Sequence, residues 1–195
     1  KSCNWPDLIN AFNSGQEIHN SVKKYLADQN ADLSTAAARR NLDRLQRPTS
    51  VMVVTGQQLG LFASPLYTVY KALTAIKLSE KLNNSFPDMS FIPVFWMESE
   101  DHDFAEVNHI GLWDQELNPR KLFYQGKNLG KSPLRYYQID NDISHLLEEI
   151  KTCLLPTEFS ESLWSLLADI YRTGRNWVEA AGLFFKSLLA EQGLL

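Results

Sequence analysis

Apolar residues recur at intervals of three and four along the first fifty residues, the spacing that places side chains on one face of a helix. The pattern stops at Pro48, because proline cannot continue a helix. The two apolar sets are Ile18, Val22, Tyr25 and Leu26, followed by Leu33, Ala37, Leu42 and Leu45. The spacing therefore predicts two or three short helices in an amino-terminal helical region, residues 1–50.

The pattern changes at Val51–Val54, where a short apolar run rich in β-branched residues is typical of a strand buried on both faces. A glycine-containing loop over 56–65 follows, and Pro65 suits the first position of a helix whose apolar residues extend to Leu82. Phe91–Trp96 has the composition of a second apolar strand. Two buried strands joined by a helix favour a right-handed βαβ unit, so we expect an α/β fold with a parallel sheet.

Two shorter strands and then helices are predicted in the rest of the chain. The strands are Lys121–Gln125 and Leu134–Ile139, which we expect to form a pair within an insertion around residues 110–160. Asp142 can cap the first helix of a helical carboxyl-terminal segment. Asn176 can cap its last helix, since a glutamate three residues later resembles a capping box.

The end of the chain carries two further signals. Gln192-Gly193 is typical of the end of a helix, and Leu194-Leu195 is typical of the first residues of a buried strand. We therefore expect the chain to stop before its fold is complete.

Composition and charge narrow the classes of function. Of the 195 residues, 44% are apolar and 22% charged, as in ordinary globular domains. The net charge is -4 and the 19 basic residues are scattered, which disfavours broad electrostatic binding to nucleic acid. There is no apolar run of about 18 residues and no signal-peptide core, so we expect a cytoplasmic location. Cys3 and Cys153 match no metal-ligand or redox spacing, and we expect reduced structural thiols.

A first group of candidate binding residues follows the first predicted strand. In an open parallel sheet, ligands bind at the carboxyl ends of strands, where backbone N–H groups and the positive end of a helix dipole converge. Gly56 and Gly60 would let the backbone approach a ligand closely. Gln57 and Gln58 offer donors and acceptors, and Lys71 supplies a cation. The run fits neither the dinucleotide nor the P-loop pattern, so a solvated turn beside an exposed helical lysine is the alternative.

A second group, of five acidic side chains and two histidines, directly follows the second predicted strand. His102 is the natural proton carrier, and Asp101 or Asp103 could orient it. His102, Glu106 and His109 also have the spacing of three metal ligands on one helical face. A solvated acidic loop is the remaining alternative, since so many ionisable groups after a buried strand must bind something or face water.

At these two segments the sequence resembles the bacillithiol biosynthesis cysteine-adding enzymes, a family of cysteine ligases. The similarity is strongest over residues 51–109, and both blocks occur in the family's order and spacing. The shared blocks are Val54–Phe62, Pro65–Ala72, Pro93–Trp96, Glu100–Phe104 and Glu106–His109. The resemblance implies that residues 51–195 are the amino-terminal half of a Rossmann-like core of the class I aminoacyl-tRNA-synthetase or nucleotidyltransferase type, with a coiled coil elsewhere in the protein.

The implied reaction adds cysteine to the amino group of glucosaminyl malate, the last step of bacillithiol biosynthesis, in a homodimeric protein. A nucleotide, ATP or ADP, is the cofactor that such a fold suggests. The turn Gly60–Pro65 has no histidine of the HIGH signature, however, and this leaves open which donor drives the reaction. The chain also departs from the family at Ala63 and Ser64, where glycine is common.

We therefore expect the two segments to form adjacent walls of one polar cleft for the sugar-malate or the cysteine. His102 with Asp101 or Asp103 would manage protons, because amide formation needs an unprotonated amine. The expected substrate-binding residues are Thr55, Gly56, Gln57, Gln58, Gly60, Tyr67, Lys71, Trp96, Ser99, Glu100, Asn108 and His109. Two other classes stay open: a metal-dependent hydrolase or transferase using His102, Glu106 and His109, and a non-catalytic nucleotide-fold binding module.

Overall fold

A computed structural model describes residues 4–12, 18–32, 35–127, 130 and 132–195. The described part of the first fifty residues contains three helices, in agreement with the two or three that the apolar spacing predicts. They are α1 (Trp5–Phe12), α2 (Asn20–Gln29) and α3 (Ala36–Leu45). Leu33 and Cys3 lie outside the described residues.

A parallel pair of strands joined by a helix follows, and this confirms the predicted α/β class. The pair is β1 (Ser50–Gln58) and β2 (Ser90–Glu98), and the helix between them is α4 (Tyr67–Ser85). The later elements are α5 (Phe104–Val107), β3 (His109–Trp113), β4 (Pro119–Phe123), α6 (Asp142–Cys153), α7 (Ser160–Ile170) and α8 (Trp177–Leu189). Within the described ranges, no helix is long and apolar enough to cross a membrane.

The chain divides into two compact units. The first comprises the described residues within 1–55, 73–95 and 190–195, and the second comprises those within 56–72 and 96–189. β1, α4 and β2 each contribute residues to both units.

In the first unit, the sheet separates two apolar clusters, because successive side chains of a strand point to opposite faces. Ile92 of β2 belongs to a cluster with Leu45 of α3, whereas Phe91 belongs to a cluster with Leu82 of α4. β2 is thus buried on both faces, as predicted. The same prediction is wrong for part of β1, where Val54 is 55% exposed. Among the described strands β1 pairs only with β2, so it is an edge strand with fewer neighbours to cover it.

On the edge of β2 that does not face β1, the backbone of β2 forms hydrogen bonds with the Asn83 side chain and with the Leu195 backbone. The Asn83 side chain donates to the Phe91 carbonyl oxygen at 2.8 Å and accepts from the Phe91 N–H at 2.9 Å. Further along the same edge, the Leu195 N–H donates to the Pro93 oxygen at 3.1 Å, and the Phe95 N–H donates to the Leu195 oxygen at 2.8 Å. This is the bonding of a parallel bridge, and the prediction that a strand begins at Leu194-Leu195 agrees with it.

The second unit has an aromatic cluster at its core, made by Phe104, Tyr124, Tyr137 and Trp177. Phe104 stacks on Tyr137 with ring centroids 4.5 Å apart, and it meets Trp177 edge-on at 5.7 Å. Such pairs add about 0.5–1.5 kcal/mol to the benefit of burial. Since Phe104 is the first residue of α5, the cluster fixes the chain immediately after His102 and Asp103.

The predicted pairing of 121–125 with 134–139 is wrong. β4 pairs antiparallel with β3, with Ile110 opposite Leu122. Residues 134–136 form a single 3-10 turn instead, and Gln138 makes one isolated bridge. Leu134, Tyr137 and Ile139 are buried without a strand ladder, a state that the pattern of apolar and polar residues does not distinguish from a strand.

Of the two predicted helix caps, one is confirmed. The Asn176 oxygen accepts from the N–H groups of Val178 at 2.9 Å and Glu179 at 3.3 Å, so Asn176 caps α8. The Asp142 cap is wrong, because Asp142 is already the first residue of α6. Its N–H donates to Asp140 at 3.1 Å, and Asp140 therefore supplies the capping acceptor.

Candidate functional site

The end of β1 lies against the end of β2. Gly56, Gln57 and Gln58 are the last three residues of β1, so the prediction that they belong to a loop is wrong. A Cβ atom added at Gly56 would lie 2.7 Å from the Trp96 carbonyl oxygen and 2.9 Å from the Trp96 Cβ. Position 56 therefore requires glycine, because any side chain would push the two strands apart.

A hydrogen bond joins the glutamine segment, residues 56–58, to the acid-histidine segment, residues 98–109. The Gln58 amide nitrogen donates to Oδ2 of Asp101. Oδ1 of Asp101 accepts from the backbone N–H groups of His102 at 2.6 Å and Asp103 at 3.0 Å. The two segments are therefore adjacent, as the rule for strand ends predicts.

These hydrogen bonds keep Asp101 ionised. The bond from Gln58 is the largest cause of the lowered pKa of the Asp101 carboxyl, and the N–H of Asp103 is the next. Both carboxylate oxygens already accept hydrogen bonds, and Asp101 is thus a fixed negative charge rather than a proton donor.

His102 is an exposed member of the predicted catalytic group. Its side chain is 59% exposed, and Nδ1 lies 3.9 Å from Oδ1 of Asp101. Asp103 has a structural contact instead: its carboxylate accepts from the Glu106 N–H at 3.3 Å and caps α5. Of the two aspartates, Asp101 is the one paired with the imidazole.

The helical face proposed for three metal ligands does not form. α5 is four residues long, His102 precedes it, and His109 is the first residue of β3. In the described part of the chain, no group of three or more His, Cys, Asp or Glu side chains could hold a metal ion.

Lys71 is held at the end of β1 rather than projecting freely from its helix. Its ammonium group donates to the Gly56 carbonyl oxygen at 3.0 Å and to Oε1 of Gln57 at 2.8 Å. It also lies 5.6 Å from the centroid of the Tyr67 ring. Gly56, Gln57, Tyr67 and Lys71 thus form one cluster of the predicted binding residues.

The turn after β1 is tightly folded. A Cβ at Gly60 would lie 1.8 Å from the Ser64 carbonyl oxygen, so glycine is required there. Phe62 and Ala63 have φ values of 53° and 58°, in the left-handed region that favours glycine. The Tyr171 hydroxyl accepts from the Phe62 N–H at 3.2 Å and holds this conformation. Ala63, where the family commonly has glycine, therefore has a backbone conformation that glycine adopts more easily than alanine.

A third segment, not predicted from the sequence, completes the site. The Arg135 guanidinium pairs with Glu100, and the Arg135 N–H donates to the Ser99 oxygen at 3.2 Å. The Leu134 N–H donates to the Asp101 oxygen at 2.9 Å. No sequence motif predicts the ion pair between Arg135 and Glu100, because it forms only when the connection after β4 folds back onto the acid-histidine segment.

Three of the predicted binding residues, Thr55, Asn108 and His109, take no part in the hydrogen bond between Gln58 and Asp101. Thr55 is half-buried in β1 and belongs to the first unit. The Asn108 side chain donates to the Tyr124 carbonyl oxygen at 3.2 Å, and Nδ1 of His109 lies 3.2 Å from the Ala105 oxygen. The contacts of Asn108 and His109 stabilise the chain around α5 and do not join them to Gln58 or Asp101.

The charge of the site bears on the expected nucleotide. Two cations face it, and Lys71 is bonded to β1 while Arg135 is paired with Glu100. The carboxylates of the segment number five: Glu98, Glu100, Asp101, Asp103 and Glu106. This excess of negative charge does not suit a polyphosphate, and the ATP or ADP cofactor stays a prediction.

A parallel βαβ arrangement with helices packed on the sheet defines a Rossmann-like α/β domain. The chain belongs to the family described as "Bacillithiol biosynthesis BshC, N-terminal Rossmann-like domain", whose model matches residues 2–195.

Two relatives carry the name "Putative cysteine ligase BshC". The protein from Solibacter usitatus is 37% identical over 150 residues, which cover 77% of this chain. The protein from Chlorobaculum tepidum is 34% identical over 157 residues, which cover 80% of this chain. In both cases the matched residues span 28% of the relative's length.

Proposed function

We propose that this chain is the amino-terminal Rossmann-like part of a carbon-nitrogen ligase that adds cysteine to glucosaminyl malate in the last step of bacillithiol biosynthesis. Membership in the BshC family and the name of its relatives support this proposal. The observation that carries it is the hydrogen bond from Gln58 to Asp101, which puts amide donors beside a histidine and a carboxylate. The matched residues span 28% of the relatives' length, so the activity is assigned to the whole protein.

His102 is the proposed proton acceptor. Amide formation joins the sugar nitrogen to the carbonyl carbon of an activated cysteine carboxyl group and breaks the bond from that carbon to the oxygen of the activating group, which leaves. The amine attacks only with its lone pair free, so a base must take up the proton that the nitrogen loses. Histidine is the side chain whose ordinary pKa lies nearest neutrality, and the imidazole of His102 is exposed. Asp101, held ionised by Gln58 and two N–H groups, stabilises the imidazolium that forms. Asp101 is thus a positioning residue, and His102 is the catalytic one.

Lys71 is the proposed ligand of the malyl carboxylates. A lysine ammonium group has three N–H donors, and Gly56 and Gln57 accept two of them. The third donor is left for an anionic oxygen of the substrate. Because the other two bonds fix the ammonium group, little side-chain entropy is lost when that oxygen binds.

The test is His102→Ala in the whole protein, with bacillithiol formation measured from glucosaminyl malate and cysteine. Loss of a general base lowers kcat by about 10²- to 10⁴-fold. His145→Ala is the matched control, since His145 is an exposed histidine on α6, and this variant should turn over like the wild type. Unchanged turnover in His102→Ala would remove His102 from the mechanism.

A further inference from the structure

Trp96 is exposed where packing would bury it. The preceding six residues of β2 are all buried, yet the Trp96 side chain is 64% exposed. Tryptophan has a large apolar ring, so an exposed indole beside Glu98 and the end of β1 offers a surface that a ligand at this site can cover.

The backbone of Trp96 packs against β1, and one hydrogen bond orients its indole. Its backbone lies against Gly56, where a Cβ would meet the Trp96 Cβ at 2.9 Å. Its Nε1 donates to Oε2 of Glu98 at 3.4 Å, and the other oxygen of Glu98 accepts from the Glu100 N–H at 3.1 Å. A ring oriented by a hydrogen bond loses less freedom when a ligand covers it than a ring without one.

A second exposed aromatic ring lies near the same glycine. Tyr67 is 50% exposed, and its ring centroid lies 5.6 Å from the Lys71 ammonium group. That ammonium group is bonded to the Gly56 carbonyl oxygen at 3.0 Å. Gly56 therefore contacts both Trp96 and Lys71, and the ammonium group of Lys71 also lies near the Tyr67 ring.

We propose that Trp96 and Tyr67 form an aromatic platform for the pyranose ring of the amino-sugar substrate, with Lys71 and Glu98 as its polar partners. The proposal rests on the proposed function and adds the place where the acceptor binds. The apolar C–H face of a sugar covers an aromatic ring while its hydroxyl groups bond the polar rim. The Glu98 carboxylate beside the indole suits the amino group, and Lys71 suits the carboxylates of the malyl group.

A nucleobase is the competing ligand, because bases also stack on aromatic side chains. A nucleotide would bring only its phosphates to a segment with five carboxylates, whereas glucosaminyl malate carries an amino group for this segment and has a smaller net negative charge. The charge of the site therefore favours the amino sugar.

The experiment measures binding to the whole protein by calorimetry, with glucosaminyl malate, cysteine and ATP as separate ligands. Trp96→Ala should weaken binding of glucosaminyl malate by about tenfold, and Trp96→Phe by less, because phenylalanine keeps part of the platform. Cysteine and ATP should bind both variants like the wild type. Trp113→Ala is the matched control, since Trp113 is a 63% exposed tryptophan on β3.

Two results would overturn the platform: unchanged sugar-malate affinity in Trp96→Ala, or a loss of ATP affinity in its place. If Trp96→Ala does not fold, Tyr67→Ala decides, with a weakening of at least about fivefold expected for the sugar-malate alone. Because binding needs no turnover, a wild-type protein that binds the sugar-malate without joining cysteine to it would contradict the proposed function and leave the platform standing.

Discussion

Asp101 is the residue through which the two segments of the site meet. The Gln58 amide, and then the Asp103 N–H, lower the pKa of its carboxyl group. A carboxyl group whose pKa is lower in the folded than in the unfolded protein stabilises the fold at pH values above its unfolded pKa, near 4. This stabilisation is lost as the pH falls through the folded pKa. The contacts of the Asp101 carboxylate with Gln58, His102 and Asp103 should therefore weaken in acid.

We expect Gln58→Ala to raise the pKa of the Asp101 carboxyl, because the strongest donor to the carboxylate is removed. The measurement is an NMR titration of the aspartate carboxyl carbons in both proteins. Gln125→Ala, at an exposed position after β4, is the control and should leave the titration of Asp101 as it is. An Asp101 pKa equal to that of the wild type would show that the Gln58 bond does not form in solution.

The site residues that could be predicted from the sequence are those at the carboxyl ends of the two parallel strands. Gln58 and His102 follow or end apolar strands, and parallel strands bring their carboxyl ends to one edge. The separate roles of Asp101 and Asp103 were not predictable, because both flank His102 and only the local backbone decides which one caps α5. Arg135 was not predictable because its partner is 35 residues away along the chain.

At the scale of elements, the prediction succeeded where the periodicity of apolar residues determines the structure. α4 and α8 have helical spacing, and β2 is an uninterrupted apolar run. The β3–β4 hairpin was missed because Gly111 and the short length of β3 leave almost no alternation to detect. The pairing of strands is set by tertiary contacts, which the alternation along one segment does not contain.

The contact between β1 and β2 gives a sharp test of the packing at the site. Gly56→Ala adds a Cβ within 3 Å of Trp96, and we expect it to lower the free energy of unfolding by about 1–3 kcal/mol. Gly111→Ala is the matched control in β3, where an added Cβ meets no atom within 4 Å and should change stability by less than about 0.5 kcal/mol. The measurement is unfolding in urea, and equal stabilities of the two variants would contradict the close approach at Gly56.

At the scale of the whole molecule, the fold class and the family were both predictable, because the βαβ unit and its two polar strand ends lie in one continuous stretch of sequence. The division into two compact units was not predictable, since each unit collects segments that are far apart along the chain. The aromatic core of the second unit joins residues 104, 124, 137 and 177, which no local pattern groups together.

The central claim is that the glutamine end of β1 and the acid-histidine segment after β2 act on one substrate. A crystal structure of the whole protein with glucosaminyl malate bound tests it most directly. We predict that the ligand contacts Lys71 or Gln57 from the first segment and also His102 from the second. A ligand bound with full occupancy that touches only one of these segments, or neither, would contradict the account.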